Sequence, residues 1–299
     1  MAERPVIVGV DATPAGVLAA TVGYAVAKAS RAPCRIVHAV RHPQGPSREQ
    51  LQTAAGMDAL ERLLEAAGAA LARELAPHVP LERIEDLAVR FGNPAWVLRE
   101  VARETDARLL VLGGKHHPAA VRWFGGSTAH HVVRTIDLPL LVAAAAASRF
   151  ERVLVATDLS ESATATLAAA REFGSLFGAR LRVLTVVEPL PSIPDVAVQL
   201  DEGEHLRCAQ QELASLLAGL DGGDGIESGV QLGSPARTIS EEAKTWRADL
   251  VVVGSHGKGW VDRVLLGSTT ERLLNRLPCS ILVLPVRGPA VAGAGPAAG

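Results

Sequence analysis

The sequence predicts two tandem α/β domains, each a doubly wound, five-stranded parallel sheet. Three observations predict it. First, the chain repeats itself. Val6-Ile7-Val8-Gly9-Val10-Asp11 is echoed by Val153-Leu154-Val155-Ala156-Thr157-Asp158, an offset of 158 − 11 = 147. Gly92-Asn93-Pro94, Leu109 to Gly113 and Gly126-Ser127-Thr128 are echoed by Gly233-Ser234-Pro235, Leu250 to Gly254 and Gly267-Ser268-Thr269, all at 233 − 92 = 141. Second, short β-branched runs alternate with longer stretches of helical spacing in both halves, the pattern that winds a parallel sheet. Third, the apolar run Val251-Val252-Val253 leads straight into Gly254-Ser255-His256-Gly257-Lys258-Gly259. That reads as a buried strand opening onto a turn where backbone can approach a ligand.

The elements follow in order. Val6 to Val10 is strand one, and Pro14 to Ser30 an Ala-rich helix with Pro in its first turn. Ile36 to Val40 is strand two. Glu49 to Leu75 is a helix, with Leu51, Leu60, Leu63, Leu64, Leu71 and Leu75 at helical spacing. Leu87 to Phe91 is strand three, less buried because Glu85, Asp86 and Arg90 interrupt its apolar character. Pro94 to Thr105 is a helix, Arg108 to Gly113 strand four, Ser127 to Thr135 a helix and Leu140 to Val142 strand five. The second half repeats the order, with a Pro-rich stretch from Glu188 to Asp201 before a helix of Glu202 to Leu220, and Asp221-Gly222-Gly223-Asp224-Gly225 as a turn. The predicted domains are residues 1–147 and 148–287, followed by a Gly/Ala/Pro tail, 288–299, expected to be disordered.

Composition narrows the function classes. A formal charge of −2 carries no polycationic footprint, which argues against nucleic acid as a partner. Cys34, Cys208 and Cys279 are odd in number and far apart, which suggests a reduced compartment and no zinc motif. Met1-Ala2-Glu3-Arg4-Pro5 lacks the apolar core of a signal peptide, and the run from Leu138 to Ala147 is far short of the ~20 residues that span a bilayer. A cytoplasmic protein with no membrane partner is expected.

The chemistry concentrates at two loops of the second half. In doubly wound sheets, ligands bind beyond the carboxyl ends of the strands, where the winding reverses. Asp158 ends strand one and Gly254 ends strand four. A carboxylate there can accept hydrogen bonds from ribose hydroxyls or an adenine amine, and glycine-rich N–H groups at a helix start can hold phosphates. Each residue also has a plainer reading. Asp158 in Asp158-Leu159-Ser160-Glu161 fits a turn or helix N-cap. Ser268-Thr269-Thr270-Glu271 fits a capping box, with Glu271 adding unwelcome negative charge near a phosphate. His256 suits loop packing better than catalysis.

Gly254-Ser255-His256-Gly257, nine residues, then Gly267-Ser268 resembles the Gly-x2-Gly-x9-Gly-(Ser/Thr) signature of ATP-binding universal stress proteins. The resemblance covers Pro5 to about Val142 and Glu151 to about Pro285, and includes the strand-one Asp, the Gly-x-Pro corner and a Cys-x-Ile-x-Val last strand at Cys279 to Val283. It implies a strand order of 3-2-1-4-5 and association through the last strands, so that the two halves pair with each other, with a homodimer also open. It implies ATP or a related adenine nucleotide as ligand, with Mg2+ as an option. The implied contacts are Asp158 for ribose or adenine, Thr185, Val186 and Val187 beside the adenine, and Gly254, His256, Gly257, Gly267, Ser268 and Thr269 at the phosphates. Lys258 is added as a mobile countercharge.

The first half departs from this pattern. Gly113-Gly114-Lys115-His116 replaces the first part of the signature, and His116 stands where the second glycine belongs. A side chain there restricts φ and fills phosphate space. Gly114 could shift the turn in compensation. Asp11, Gly113, Lys115, Gly126, Ser127 and Thr128 remain as a degraded second site. No Gly-x4-Gly-Lys-(Ser/Thr) loop, no Gly-x-Ser-x-Gly elbow and no assembled catalytic base is present, so an enzyme is not expected and any ATP hydrolysis should be slow. The pairs His116-His117 and His130-His131 diverge and make poor metal sites. Trp96 and Trp246 read as core or interface packing, and Trp123 and Trp260 as loop cover or partner contacts. Two classes remain: a nucleotide-binding stress or signalling protein acting through conformation or assembly, and a nucleotide-independent interaction module of the same fold.

Overall fold

The computed structural model describes residues 4–41, 53–80, 87–114, 128–189, 202–220, 223, 225–255 and 266–285. The first half runs β1 (Val6–Val10), α1 (Pro14–Ala29), β2 (Cys34–Val40), α2 (Ala54–Leu75), β3 (Leu87–Phe91), α3 (Pro94–Glu104), β4 (Leu109–Gly113), α4 (Thr128–Thr135) and β5 (Leu140–Ala143). The second runs β6 (Arg152–Thr157), α5 (Ala163–Ser175), β7 (Arg180–Val187), α6 (Glu202–Ala218), β8 (Glu227–Leu232), α7 (Pro235–Thr245), β9 (Leu250–Gly254), α8 (Ser268–Arg276) and β10 (Ser280–Leu284).

Each half is parallel, in the predicted order 3-2-1-4-5. The two sheets are not separate, however. β5 pairs antiparallel with β10, Leu141 opposite Leu282, and the result is one ten-stranded sheet ordered β3-β2-β1-β4-β5-β10-β9-β6-β7-β8. Strand alternation then sorts the side chains to two faces. Val6, Val8, Val153 and Val252 lie under α1, α2, α5 and α6, whereas Ile7, Leu154 and Val251 lie under α3, α4, α7 and α8. Both apolar layers therefore continue through the pseudo-twofold axis without a break. Ser280 Oγ accepts a hydrogen bond from Ala144 N at 3.2 Å beside the junction, and Phe150 of the connector packs edge-on against Phe177 at 5.2 Å.

Several boundaries differ from expectation for local reasons. α2 begins at Ala54 because Thr53 caps it, its hydroxyl accepting from Gly56 N at 3.1 Å; residues 49–52 of the expected helix lie outside the described residues. β3 is half-buried along its whole length, as its charged flank suggested. Of the two readings of Trp96, core packing does not hold: it sits in the first turn of α3 but is 53% exposed. Trp246 does pack, with the Arg182 guanidinium 4.7 Å above its ring. Trp123, Trp260, most of the Asp221 to Gly225 turn and the 288–299 tail lie outside the described residues. Among the described residues, no helix is long and apolar enough to cross a membrane.

Candidate functional site

The ends of three neighbouring strands set the site in the second half. Thr157 of β6 stands opposite Thr185 of β7. On the other side, Val155 of β6 stands opposite Val252 of β9, so Gly254 ends level with Thr157. The switch point predicted from β-strand order is therefore real: β6 lies between β7 and β9, with α5 leaving toward one face and α8 toward the other.

The glycine corner is clamped at both ends. Ser255, 5% exposed, donates its N–H to Leu284 O at 2.8 Å, which extends the β9–β10 ladder by one residue. Its carbonyl accepts from Gly267 N at 2.9 Å, and Gly254 O accepts from the Thr270 hydroxyl at 2.8 Å. Thus the residues that enter and leave the loop are held against each other. His256, Gly257 and Lys258, which complete the sequence signature, lie outside the described residues.

The capping box expected at Ser268 is not formed. Gly267 occupies the N-cap position, with φ −57° and ψ 137°, and α8 has no side-chain cap. Ser268 is the first helical residue and is exposed, Thr269 is half-buried, and Thr270 turns its hydroxyl back onto β9. Ser268, Thr269 and Thr270 each offer a hydroxyl, so the residue types alone do not place the cap. The consequence is chemical: the N–H groups of Ser268, Thr269 and Thr270 have no intrahelical partner, and no side chain at Gly267 shields them. Glu271 is the acid in this first turn, paired with Arg134 of α4 at 3.2 Å.

Asp158 closes a turn, its Oδ1 accepting from Ser160 N at 3.1 Å, and Leu159 takes φ 59° to allow it. The N-cap of α5 is Ser162, so the turn alternative for Asp158 holds and the cap alternative does not. Thr185 is 3% exposed and its Oγ1 is buried with no hydrogen-bond partner, a feature sequence spacing did not signal. Val186 is half-buried and Val187 buried. A groove of about 540 Å³ opens beside this turn, lined by Leu159, Ser160 and Ala163 on one side and Cys208, Gln211 and Glu212 on the other. Among the described residues its lining starts one residue after Asp158 and includes none of Gly254, Ser255 and Gly267.

The first half is built differently. Asp11 is exposed and accepts a hydrogen bond from the Thr13 hydroxyl, which also caps α1 by accepting from Gly16 N at 3.4 Å. Gly113 has a packing reason to be glycine, since a Cβ there would stand 1.9 Å from the Ala15 carbonyl oxygen. Gly114 is the last described residue before the turn, and whether it shifts that turn lies outside the described residues. Its N–H donates to Ala143 O at 2.7 Å, the same ladder bond that Ser255 makes in the second half. Thr128 begins α4, while Lys115, Gly126 and Ser127 lie outside the described residues, as do His116 and His117. His130 is half-buried and His131 exposed, and among the described residues no group of His, Cys, Asp and Glu is arranged for a metal. Burial, with the Asp249 charge second, pushes the Cys279 thiol up to about 12, so that it is no nucleophile near neutrality.

Fold and corner define a tandem doubly wound α/β protein with a clamped glycine turn at one switch point. The universal stress protein family model matches residues 3–144 and again 149–285, and the chain belongs to that family. A universal stress protein of Thermus aquaticus is 30% identical over 142 residues, 45% of this chain and 98% of its own. One from Mycobacterium tuberculosis is 30% identical over 207 residues, 64% of this chain and 66% of its own. The crystal structure of a universal stress protein from Archaeoglobus fulgidus superposes with a TM-score of 0.64 at 18% identity, covering 95% of this chain and 99% of its own. At that identity the likeness concerns the fold alone.

Proposed function

We propose that the second half binds ATP or a related adenine nucleotide, and that occupancy biases conformation or assembly in a stress-response or signalling role. The observation that carries this is the clamped corner. Gly254 and Ser255 are tied to Gly267 and Thr270, the helix that starts at Ser268 has a glycine cap, and its first three N–H groups have no intrahelical partner, which suits an anion. The sequence between the clamps supplies Gly257, completing Gly-x2-Gly-x9-Gly-Ser. Asp158 and the ends of β6 and β7 would hold the nucleoside. Thr185 Oγ1, buried without a partner beside Thr157, suits a polar edge brought close by local rearrangement. Any Mg2+ would arrive with the phosphates, held mainly by them. The first half, with His116 in the glycine position and Gly113 committed to packing against α1, would bind weakly or not at all. No catalytic role is assigned to any residue.

The interaction-module reading draws on the β5–β10 junction, which builds the pairing of the halves into one chain without a nucleotide. Titration calorimetry of the full chain with ATP separates the two. The expected result is one site per chain, lost in Gly257→Val with the circular dichroism spectrum unchanged. Equal ATP affinity in that variant would remove the phosphate role of the loop. Two equivalent sites would remove the assignment to the second half, and no heat would favour the interaction module.

A further inference from the structure

Helices α4 and α8 meet across the pseudo-twofold axis, and their contact is asymmetric in charge. At the repeat offset of 141, His130 is the counterpart of Glu271 and Arg134 that of Asn275. The two symmetry-related contacts are accordingly His130 with Asn275 and Arg134 with Glu271. Only the second is an ion pair, Nη2 to Oε1 at 3.2 Å, with the side chains 43% and 41% exposed.

Position makes this pair more than a surface decoration. Glu271 is the acid in the first turn of α8. It follows Ser268 by three residues and so lies on the same side of the helix. A carboxylate there steadies the positive end of the helix, yet it opposes any anion drawn to the same N–H groups. The opposing charge is met by an arginine contributed by the other half of the chain, at a place where the repeat itself puts asparagine. Guanidinium is suited to this because it keeps its charge at every physiological pH and can hold a carboxylate through two N–H groups.

We propose that Arg134 is a positioning residue for the phosphate site of the second half: by pairing with Glu271 across the axis it offsets the negative charge that a polyphosphate would meet at the start of α8. The half with the degraded loop thereby sets the affinity of the half with the intact one. This rests on the ATP reading above.

The test is ATP and adenosine titration of the full chain in five forms: unaltered, Arg134→Gln, Arg134→Lys, Glu271→Gln and the double variant Arg134→Gln/Glu271→Gln. A charge at a helix start changes binding by about two- to fivefold. Arg134→Gln should weaken ATP by that factor and leave adenosine unchanged, Arg134→Lys should keep most of the ATP affinity, and the double variant should return close to the unaltered value. The gap between Arg134→Gln and the unaltered protein should also narrow as salt rises. ATP affinity unchanged in Arg134→Gln would overturn the proposal while leaving the ATP reading intact. Equal loss for ATP and adenosine, unrestored by Glu271→Gln, would reduce Arg134 to a structural residue. Absence of ATP binding to the unaltered chain would overturn the ATP reading itself, and this proposal with it.

Discussion

At the residue scale, Gly113 and Gly254 look alike in sequence, and a sequence motif treats both as ligand glycines. The structure gives Gly113 a different reason. The first turn of α1 passes so close to the end of β4 that a Cβ would collide with the Ala15 carbonyl oxygen, a backbone atom that cannot rotate away. Gly113→Ala is therefore expected to cost about 2–3 kcal/mol through displacement of α1, read as a lower urea midpoint with no change in ATP stoichiometry. An unchanged midpoint would show that α1 yields easily there. The lesson for motif reading is physical. A glycine after a buried strand reports close approach, and sequence does not say whether the approaching group is a phosphate or a helix. Asp158 teaches the same. Its turn with Ser160 is one of two plain readings compatible with the spacing, and the left-handed backbone at Leu159, with α5 starting only after Ser162, decides for the turn.

At the element scale, strands and helix starts marked by proline were legible, because alternation, β-branching and a fixed φ leave few choices. β1, β3, α3 and α7 begin where such signals place them. Starts marked by hydroxyl residues were less legible. Thr53 moved the start of α2, and Gly267 took the N-cap from Ser268, since several neighbouring oxygens compete for one cap position. The paired starts of α3 and α7 allow a direct test. Asn93 Oδ1 accepts from Ala95 N at 3.0 Å and Trp96 N at 3.4 Å, whereas its counterpart Ser234 makes no side-chain cap bond. Asn93→Ala should lower stability by about 1 kcal/mol and Ser234→Ala by only a few tenths, measured by denaturant unfolding of each variant. Equal losses would mean that cap geometry does not set the difference between the two helices.

At the scale of the whole molecule, the sequence showed two repeats but not how completely they merge. The pairing of last strands followed from family resemblance; the continuity of both apolar layers did not, because offsets along a chain carry no information about which faces become contiguous. Leu141 and Leu282 sit opposite each other at the junction, 0% and 2% exposed, with helices from both halves closing over them. Without its partner, β5 would be a sheet edge of four apolar residues, Leu140 to Ala143, open to any other strand. Neither half then has a complete surface of its own, and unfolding one should expose the other's most apolar edge. Scanning calorimetry of the full chain is expected to show a single transition, and Leu282→Asp, which buries an unpaired charge at the seam, should lower that transition as a unit by several kcal/mol. Two resolved transitions, with only the later half's moved by Leu282→Asp, would show instead that the halves fold independently and that the ten-stranded sheet is a contact between finished domains.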